Sequence, residues 1–264
     1  MLRSIQTLKG FEIGATDGAI GTVECAFFDD ARWVIRYLVT DTGDWLSGRK
    51  VLISPRSIWA IDGTSQVVRV GLTRDQVANG PSIDIHKPLA RQSEIEYSQY
   101  YGHAPYWGGP LLWGMGAVPI APAITEPVSR AAHAPVEQER DAADQHLRGS
   151  NEVTGYYVAA TDGHVGHVED FLFDDETWAI HYLVIDTRNW LAGKRVLVSP
   201  EWFDEIDWAE KRVVATVSRA AIKHSPEYDP ASVGRDYEEA LHRHYRKPTY
   251  WGTRDEPVTP LTMR

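Results

Sequence analysis

One long stretch of this chain occurs twice, at a constant spacing of 145 residues. Gly10-Phe-Glu-Ile-Gly-Ala-Thr-Asp-Gly18 returns as Gly155-Tyr-Tyr-Val-Ala-Ala-Thr-Asp-Gly163, and the register then holds without a gap to Asp84 and Asp229. Of these 75 positions, 31 are identical. Solenoid repeats have periods of about 20 to 50 residues, so a unit of this length is a whole small domain. We therefore expect two copies of one domain.

The duplication also separates residues that the domain needs from residues that one copy has acquired. A side chain required by the common fold should occur in both copies, whereas a residue of one copy only is neutral or serves a further function. The shared signature consists of Asp17, Gly18, Asp41, Trp45, Gly48 and Pro55 in the first copy, and of Asp162, Gly163, Asp186, Trp190, Gly193 and Pro200 in the second.

Composition limits the classes of function that this chain can have. A net charge of −10 and a pI near 5.5 argue against nucleic-acid binding, which needs a basic face. The single cysteine, Cys25, has Asp170 as its counterpart and is expected to be structural. No apolar run reaches the roughly 18 residues of a membrane span, and the first nine residues lack an apolar signal core. We expect a cytoplasmic protein without membrane insertion or cofactor.

Each copy has the pattern of short strands separated by turns. Strands are predicted at Ala19 to Phe28, after an Asp-Gly turn, and at Trp33 to Thr40. Further predicted strands are Lys50 to Ile53, Ile58 to Ile61 and Gln66 to Leu72. A short helix then closes each copy, with Thr73 and Gln76 as a capping box in the first and Ser218 as the N-cap in the second. Closely spaced short strands predict a small antiparallel barrel or sandwich.

An aromatic tail follows each copy, now at a spacing of 144. Tyr97, Tyr101 and Tyr106-Trp107-Gly108 correspond to Leu241, Tyr245 and Tyr250-Trp251-Gly252, and a short helix with a capping box at Ser93-Glu-Ile-Glu96 is predicted to carry the first of these stripes. The Pro-containing stretch between the units is predicted to be a linker, whose last part, Val136 to Leu147, could form an exposed helix. The predicted segments are a first barrel at 1–90, an aromatic tail at 91–116, the linker at 117–150, a second barrel at 151–232, and a helix with its tail at 233–264.

These motifs resemble the PRC-barrel family. The resemblance rests on Thr-Asp-Gly, Phe-x-Asp-Asp, Tyr-Leu-Val-x-Asp-Thr and Trp-Leu-x-Gly followed by two basic residues and Val-Leu-(Ile/Val)-Ser-Pro, each present twice. The family includes the cytoplasmic domain of the photosynthetic reaction-centre H subunit and the C-terminal part of RimM-type ribosome-maturation factors. The resemblance implies two SH3-like six-stranded antiparallel β-barrels in tandem, used as interaction modules and without catalytic residues.

The shared acidic residues have a structural explanation and a functional one. Asp17, Asp29, Asp30 and Asp41 recur in the second copy and could suggest a cation site, but each lies at a predicted turn, where aspartate bonds the backbone two residues on. Turn chemistry is the favoured explanation. The pairs Glu24 with Arg49-Lys50 and Glu169 with Lys194-Arg195 are expected to be ion pairs between strands rather than acid–base machinery.

The histidines support the main alternative, a metal-binding or enzymatic protein. His164-x-x-His167 together with His242-x-His244 could form a metal site, because imidazole is a common ligand. These residues are absent from the first copy, where Ala19 and Thr22 stand in place of His164 and His167. The chain contains no nucleophile elbow, phosphate-binding loop or zinc-protease motif. We therefore predict no catalytic and no metal-ligating residues.

The aromatic segment from Tyr97 to Met115 is where the sequence points closest to function. It has few charges and must be buried on something, either its own domain or a partner. The predicted interaction residues are Tyr106, Trp107, Leu111, Leu112, Trp113, Tyr250 and Trp251. The Tyr-Trp tips should anchor each tail on a barrel, and Leu111 to Trp113, present in the first copy only, should contact a partner or a second chain. The predicted protein is a two-barrel assembly module whose copies pack as an internal pseudo-dimer and whose protein partner the sequence does not identify.

Overall fold

The structure, a computed structural model, describes residues 1–81, 89–120, 146–187 and 194–251. Trp190, Gly193, most of the predicted linker and the predicted helix up to residue 145 lie outside these ranges. The chain divides into two compact units. The first comprises Met1–Thr154 and Asp170–Leu183, and the second comprises Gly155–Glu169 and Val184–Arg264.

Fourteen strands and six α-helices are present in the described residues. The strands are β1 (Leu2–Ser4), β2 (Glu12–Ala15), β3 (Gly18–Asp29), β4 (Val34–Asp41), β5 (Lys50–Ile53), β6 (Ile58–Asp62), β7 (Val67–Val70), β8 (Leu147–Gly149), β9 (Tyr157–Ala160), β10 (Gly163–Asp174), β11 (Ile180–Asp186), β12 (Arg195–Val198), β13 (Phe203–Asp207) and β14 (Arg212–Ala215). The helices are α1 (Ile5–Leu8), α2 (Arg74–Ala78), α3 (Arg91–Tyr101), α4 (Ser150–Val153), α5 (Arg219–His224) and α6 (Arg235–Tyr245).

The protein is mainly β, and its elements repeat as the sequence does. The first copy's seven strands recur 145 residues later, with β11 starting one residue later than this spacing requires, and α6 recurs 144 residues after α3. The repeat extends further upstream than the sequence alignment, because β1 and α1 match β8 and α4. Leu147 to Gly149, at the end of the predicted linker, therefore belong to a strand.

Two seven-stranded sheets form the fold, each with six strands of one copy and one strand of the other. One sheet has the order β5-β4-β3-β2-β7-β6 with β8 on β3, and the other has the order β12-β11-β10-β9-β14-β13 with β1 on β10. The expectation of purely antiparallel sheets is wrong, because β2 pairs with β7 and β9 with β14 in parallel. Among the described strands, no hydrogen-bonded pair joins the two edges of either path, so barrel closure remains a prediction.

Most of the shared acidic residues form turns and caps, as expected, whereas Asp30 and Asp175 form ion pairs with Arg148 and Arg3. Asp17 Oδ1 accepts the Arg74 N–H at the start of α2 (2.8 Å), and Asp162 Oδ1 accepts the Arg219 N–H at the start of α5 (2.7 Å). Asp41 Oδ1 accepts the N–H of Gly43, two residues on. The predicted ion pairs also form, Lys50 with Glu24 and Arg195 with Glu169.

Other signature residues support these turns in specific ways. Pro55 and Pro200 each begin a short 3-10 helix, the first ending at Ser57 and the second at Trp202, and Ser54 and Ser199 cap them. The Arg74 guanidinium lies 4.6 Å from the Trp45 ring centre, and Gly48 has a φ of 74°. The capping box of Thr73 and Gln76 and the N-cap of Ser218 are confirmed. These twelve positions therefore build the domain, as far as they are described.

Gly18 and Gly163 occupy equivalent turns with φ of 143° and 136°, so the predicted positive φ is confirmed. Side chains other than glycine are strained in this region of backbone conformation. Replacing Gly18 with valine should lower the free energy of unfolding by on the order of 1–3 kcal/mol. Urea denaturation checks this, with Gly234→Val as the control, because Gly234 has a φ of −139° and open space around its Cα. Equal losses in both variants would contradict the assignment.

The tail helix α3 packs on the first sheet through Tyr97. The Tyr97 hydroxyl donates to the Leu52 carbonyl (3.1 Å) and accepts the Ser54 N–H (3.0 Å). The ring lies in a buried cluster with Cys25, Tyr37, Val39, Leu52, Leu89 and Leu147. The first aromatic tail is thus part of the core of its own unit.

Within the described residues, no helix combines the length and apolar character that a membrane crossing requires.

Candidate interaction surface

Each tail helix carries an arginine and a buried glutamate three residues apart. In α3, Arg91 Nη1 lies 2.8 Å from Glu94 Oε2, and Glu94 is fully buried. In α6, Arg235 Nη1 lies 3.7 Å from Glu238 Oε2. A buried carboxylate is tolerated only when it is paired and hydrogen-bonded. The sequence comparison had not singled out this Arg-x-x-Glu pair, although the same spacing of 144 applies to it.

The Tyr-Trp tip of each tail closes over this pair. The Tyr106 hydroxyl donates to Glu94 (2.6 Å), and the Tyr250 hydroxyl donates to Glu238 (2.8 Å). The neighbouring tryptophan covers the arginine, with Arg91 4.3 Å from the Trp107 ring centre and Arg235 3.9 Å from that of Trp251. Burial, followed by the Glu94 charge, holds the pKa of Tyr106 well above its usual value.

These contacts give all four aromatic residues a role inside the protein. Tyr106 is 6% exposed, and Trp107, Tyr250 and Trp251 are half-buried. Tyr106 also contacts Arg36 of β4, in agreement with the predicted anchoring of the first tail on its own domain, whereas Tyr250 and Trp251 contact Glu238 and Arg235 of their own tail helix. Their role in binding a partner stays a prediction.

The first tail continues into a loop, residues 109–116, whose sequence is not repeated after Gly252 and which we call the copy-1 loop. Its backbone is folded on itself, because Leu111 N–H donates to the Gly114 carbonyl (2.9 Å) and Trp113 N–H donates to the Gly116 carbonyl (2.8 Å). Gly114 has a φ of 83°. This conformation gives the loop a defined shape without regular secondary structure.

Three arginines of the first copy fix the carbonyl groups of this loop. Arg32 donates to Gly109 and Leu111, Arg36 to Leu112 (2.6 Å), and Arg56 to Trp113 (2.8 Å). Their counterparts at the spacing of 145 are Thr177, His181 and Glu201. The arginines and the loop therefore occur in the same copy only. By the repeat criterion, they form one feature that the common fold does not require.

Arg36 is the buried centre of this feature, with a side chain that is completely excluded from solvent. Its guanidinium lies 3.8 Å from the Tyr106 ring centre and 5.0 Å from that of Trp113, and it pairs with Asp29 at 2.9 Å. Burial lowers the pKa of Arg36, and the Asp29 carboxylate offsets part of that effect. The cation is thus compensated by a carboxylate, two rings and a carbonyl group.

The side chains of the loop separate into buried and exposed ones. Trp113 is 3% exposed, and its Nε1–H donates to the Thr177 carbonyl (2.8 Å), so its prediction as an interaction residue is wrong. Leu112 is half-buried. Leu111 is 45% and Met115 79% exposed, and Ile120, whose carbonyl also accepts from Arg56, is 65% exposed. We call Leu111, Met115 and Ile120 the copy-1 apolar surface.

The histidines of the second copy do not assemble into the metal site of the alternative hypothesis. His242 Nδ1 lies 2.6 Å from the Pro248 carbonyl and His244 Nε2 lies 2.7 Å from the Ala221 carbonyl, while His167 faces Asp186 at 3.6 Å. The ranges that the structure describes contain no group of three or more metal-ligating side chains. Cys25 is buried, and burial raises the pKa of its thiol to about 11.

Comparison with known proteins identifies the second repeat. The family model of the PRC-barrel domain matches residues 147–222. This range begins at β8 and ends within α5, so it includes the strand that the sequence prediction had assigned to the linker. The search of curated proteins gave no match. The second repeat is therefore similar to a PRC-barrel domain over residues 147–222.

Proposed function

We propose that this chain is a non-catalytic assembly module, built from two PRC-barrels, that binds a protein partner through the copy-1 apolar surface. The first copy is included because its strands repeat the bounds of the matched domain and 31 of 75 aligned residues are identical. A role in a membrane-associated or photosynthetic-type complex rests on analogy with other members of the family alone.

The observation that carries the proposal is the fixed shape of the copy-1 loop. Three arginines bond its carbonyl groups, and a buried tryptophan holds it down, yet Leu111 and Met115 remain exposed. Because the backbone of the loop already has a defined shape, binding through these side chains does not have to order it, which favours affinity.

The residues that could perform chemistry already have structural roles, which supports a binding function. Asp17 and Asp41 bond backbone N–H groups, and Glu94 is occupied by Arg91 and Tyr106. His244 contacts a carbonyl group of its own unit. These contacts explain the residues without a reaction.

Replacing Leu111 and Met115 together with serine should abolish partner capture and leave stability within about 0.5 kcal/mol, because both side chains are largely exposed. The measurement is a pull-down from the native host with quantitative mass spectrometry, alongside urea denaturation. Tyr157→Ser is the matched control, since Tyr157 is 64% exposed in the second copy. A partner retained by the double variant, or lost equally from the control, would contradict the proposal.

A further inference from the structure

The short strands β1 and β8 are arms that each copy extends to the other. β1 pairs with the end of β10, with Leu2 opposite Asp174, and β8 pairs with the end of β3, with Leu147 opposite Asp29. All of these residues belong to the first compact unit. The two registers are equivalent at the spacing of 145, so the copies exchange arms reciprocally.

The polar contacts of the arms are reciprocal as well. Arg3 Nε lies 2.6 Å from Asp175 Oδ2, and Arg148 Nε lies 2.9 Å from Asp30 Oδ2. The Asp175 N–H donates to the Met1 carbonyl and the Asp30 N–H to the His146 carbonyl, both at 3.0 Å. These two bonds of the β1 arm therefore have counterparts in the β8 arm, whereas the contacts of the Met1 amino group with Asp174 and Asp175 occur in the β1 arm only.

Between the arms, one position contacts its own counterpart. Val34 forms a β-bridge with Ala179, which stands at the same place in the second copy. The Ile35 N–H donates to the Trp178 carbonyl (2.9 Å), and the Ile180 N–H donates to the Trp33 carbonyl (2.7 Å). Self-complementary contacts of this kind define an isologous interface, the type found in symmetric homodimers.

The residues that make these contacts are largely the same in both copies. The identical pairs are Leu2 and Leu147, Arg3 and Arg148, Phe28 and Phe173, Asp29 and Asp174, Asp30 and Asp175, and Trp33 and Trp178. Across the aligned copies, by contrast, fewer than half of the positions are identical, 31 of 75. Either copy can therefore supply the arm or the strand end, because the contacting residues are largely the same.

We propose that this arm-exchange interface also works between separate molecules, and that its partner is a second copy of this repeat. A repeat with the Leu-Arg arm and the Phe-Asp-Asp strand end presents both halves of the contact. The two repeats of this chain satisfy one another, and either repeat pairs with its own kind once the covalent connection is cut. This inference is independent of the copy-1 apolar surface.

The test uses the full chain with a protease recognition sequence placed within residues 121–145. After cleavage, the N-terminal and C-terminal halves should elute together in size-exclusion chromatography. After denaturation and refolding of the cleaved chain, native mass spectrometry should detect both homodimers of halves beside the heterodimer. Separation of the halves on cleavage, or recovery of the heterodimer alone, would overturn the proposal.

A charge exchange makes the same test specific to the arms. In the cleaved chain with Arg148→Asp and Asp30→Arg, the heterodimer keeps two opposite-charge contacts, because the new groups at positions 148 and 30 face each other. Each homodimer instead acquires two like-charge contacts. The homodimers should fall by about tenfold or more relative to the heterodimer, since like charges across an interface are strongly disfavoured.

Glu239→Arg with Arg243→Glu is the matched control, because it exchanges two exposed charges of α6 that lie outside the arms. The control should give the distribution of the parent. Homodimers that persist in the arm variant at the parent level would show that the arms do not form the interface, and the proposal would be rejected.

Discussion

Replacing Arg36 with leucine should lower the free energy of unfolding by about 3–5 kcal/mol, the range for removing one partner of a buried ion pair. The variant leaves Asp29 buried without its cation and the Leu112 carbonyl without its donor. It also removes the cation between the rings of Tyr106 and Trp113. Urea denaturation followed by circular dichroism measures this loss.

The matched control is Arg32→Ala, which removes an exposed arginine that bonds the same loop. Its loss should be no more than about 1 kcal/mol, because the freed carbonyl groups of Gly109 and Leu111 can bond water instead. If both variants lost the same small amount, Arg36 would not be the buried centre that holds the tail.

Replacing Trp113 with serine should cost about 3–5 kcal/mol, the range for truncating a large buried aromatic side chain. Trp113 is 3% exposed and donates to the Thr177 carbonyl, so the variant leaves both a cavity and an unpaired acceptor. The sequence instead predicted that Trp113 contacts a partner or a second chain, and an exposed side chain of that kind would leave stability nearly unchanged when replaced. Urea denaturation distinguishes the two outcomes.

Trp59→Ser is the control for this prediction, because Trp59 is 67% exposed in the same unit. Its effect should stay within about 0.5 kcal/mol. If the Trp113 variant were as stable as the Trp59 variant, Trp113 would not be a buried anchor of the copy-1 loop.

Local signals in the sequence predicted most of the strands. β5 begins and ends as predicted, at Lys50 and Ile53, and β3 extends one residue beyond the prediction at each end. The first tail helix was predicted to start near Ser93 but starts at Arg91, with Ala90 as its N-cap and without a side-chain capping bond. Its start is therefore set by packing and by the Arg91–Glu94 pair rather than by a capping box.

The arms could not be recognised from periodicity. A strand of three residues is too short for an alternating pattern, and its partner lies about 170 positions away along the chain. One signal was available, since Leu2-Arg3 and Leu147-Arg148 continue the 145-residue register upstream of the aligned block. The internal repeat therefore predicts these two strands better than strand propensity does.

The division of the copy-1 loop into buried and exposed residues also required the structure. A tryptophan in a glycine-rich segment has the same local pattern whether it is buried or exposed. What buries Trp113 is its contact with Arg36 and Arg56, which come from β4 and the 3-10 helix beginning at Pro55. The available signal was that these arginines, like the loop, occur in the first copy only.

We propose above that the copy-1 loop presents an exposed apolar surface to a protein partner. A photo-crosslinking amino acid at Met115, introduced into the full chain in its native host, tests this most directly, with the same group at Tyr157 as the control. Both side chains are well exposed, at 79% and 64%. We expect a discrete covalent adduct from position 115 and none from position 157. No adduct at position 115, or the same adducts from both positions, would contradict it.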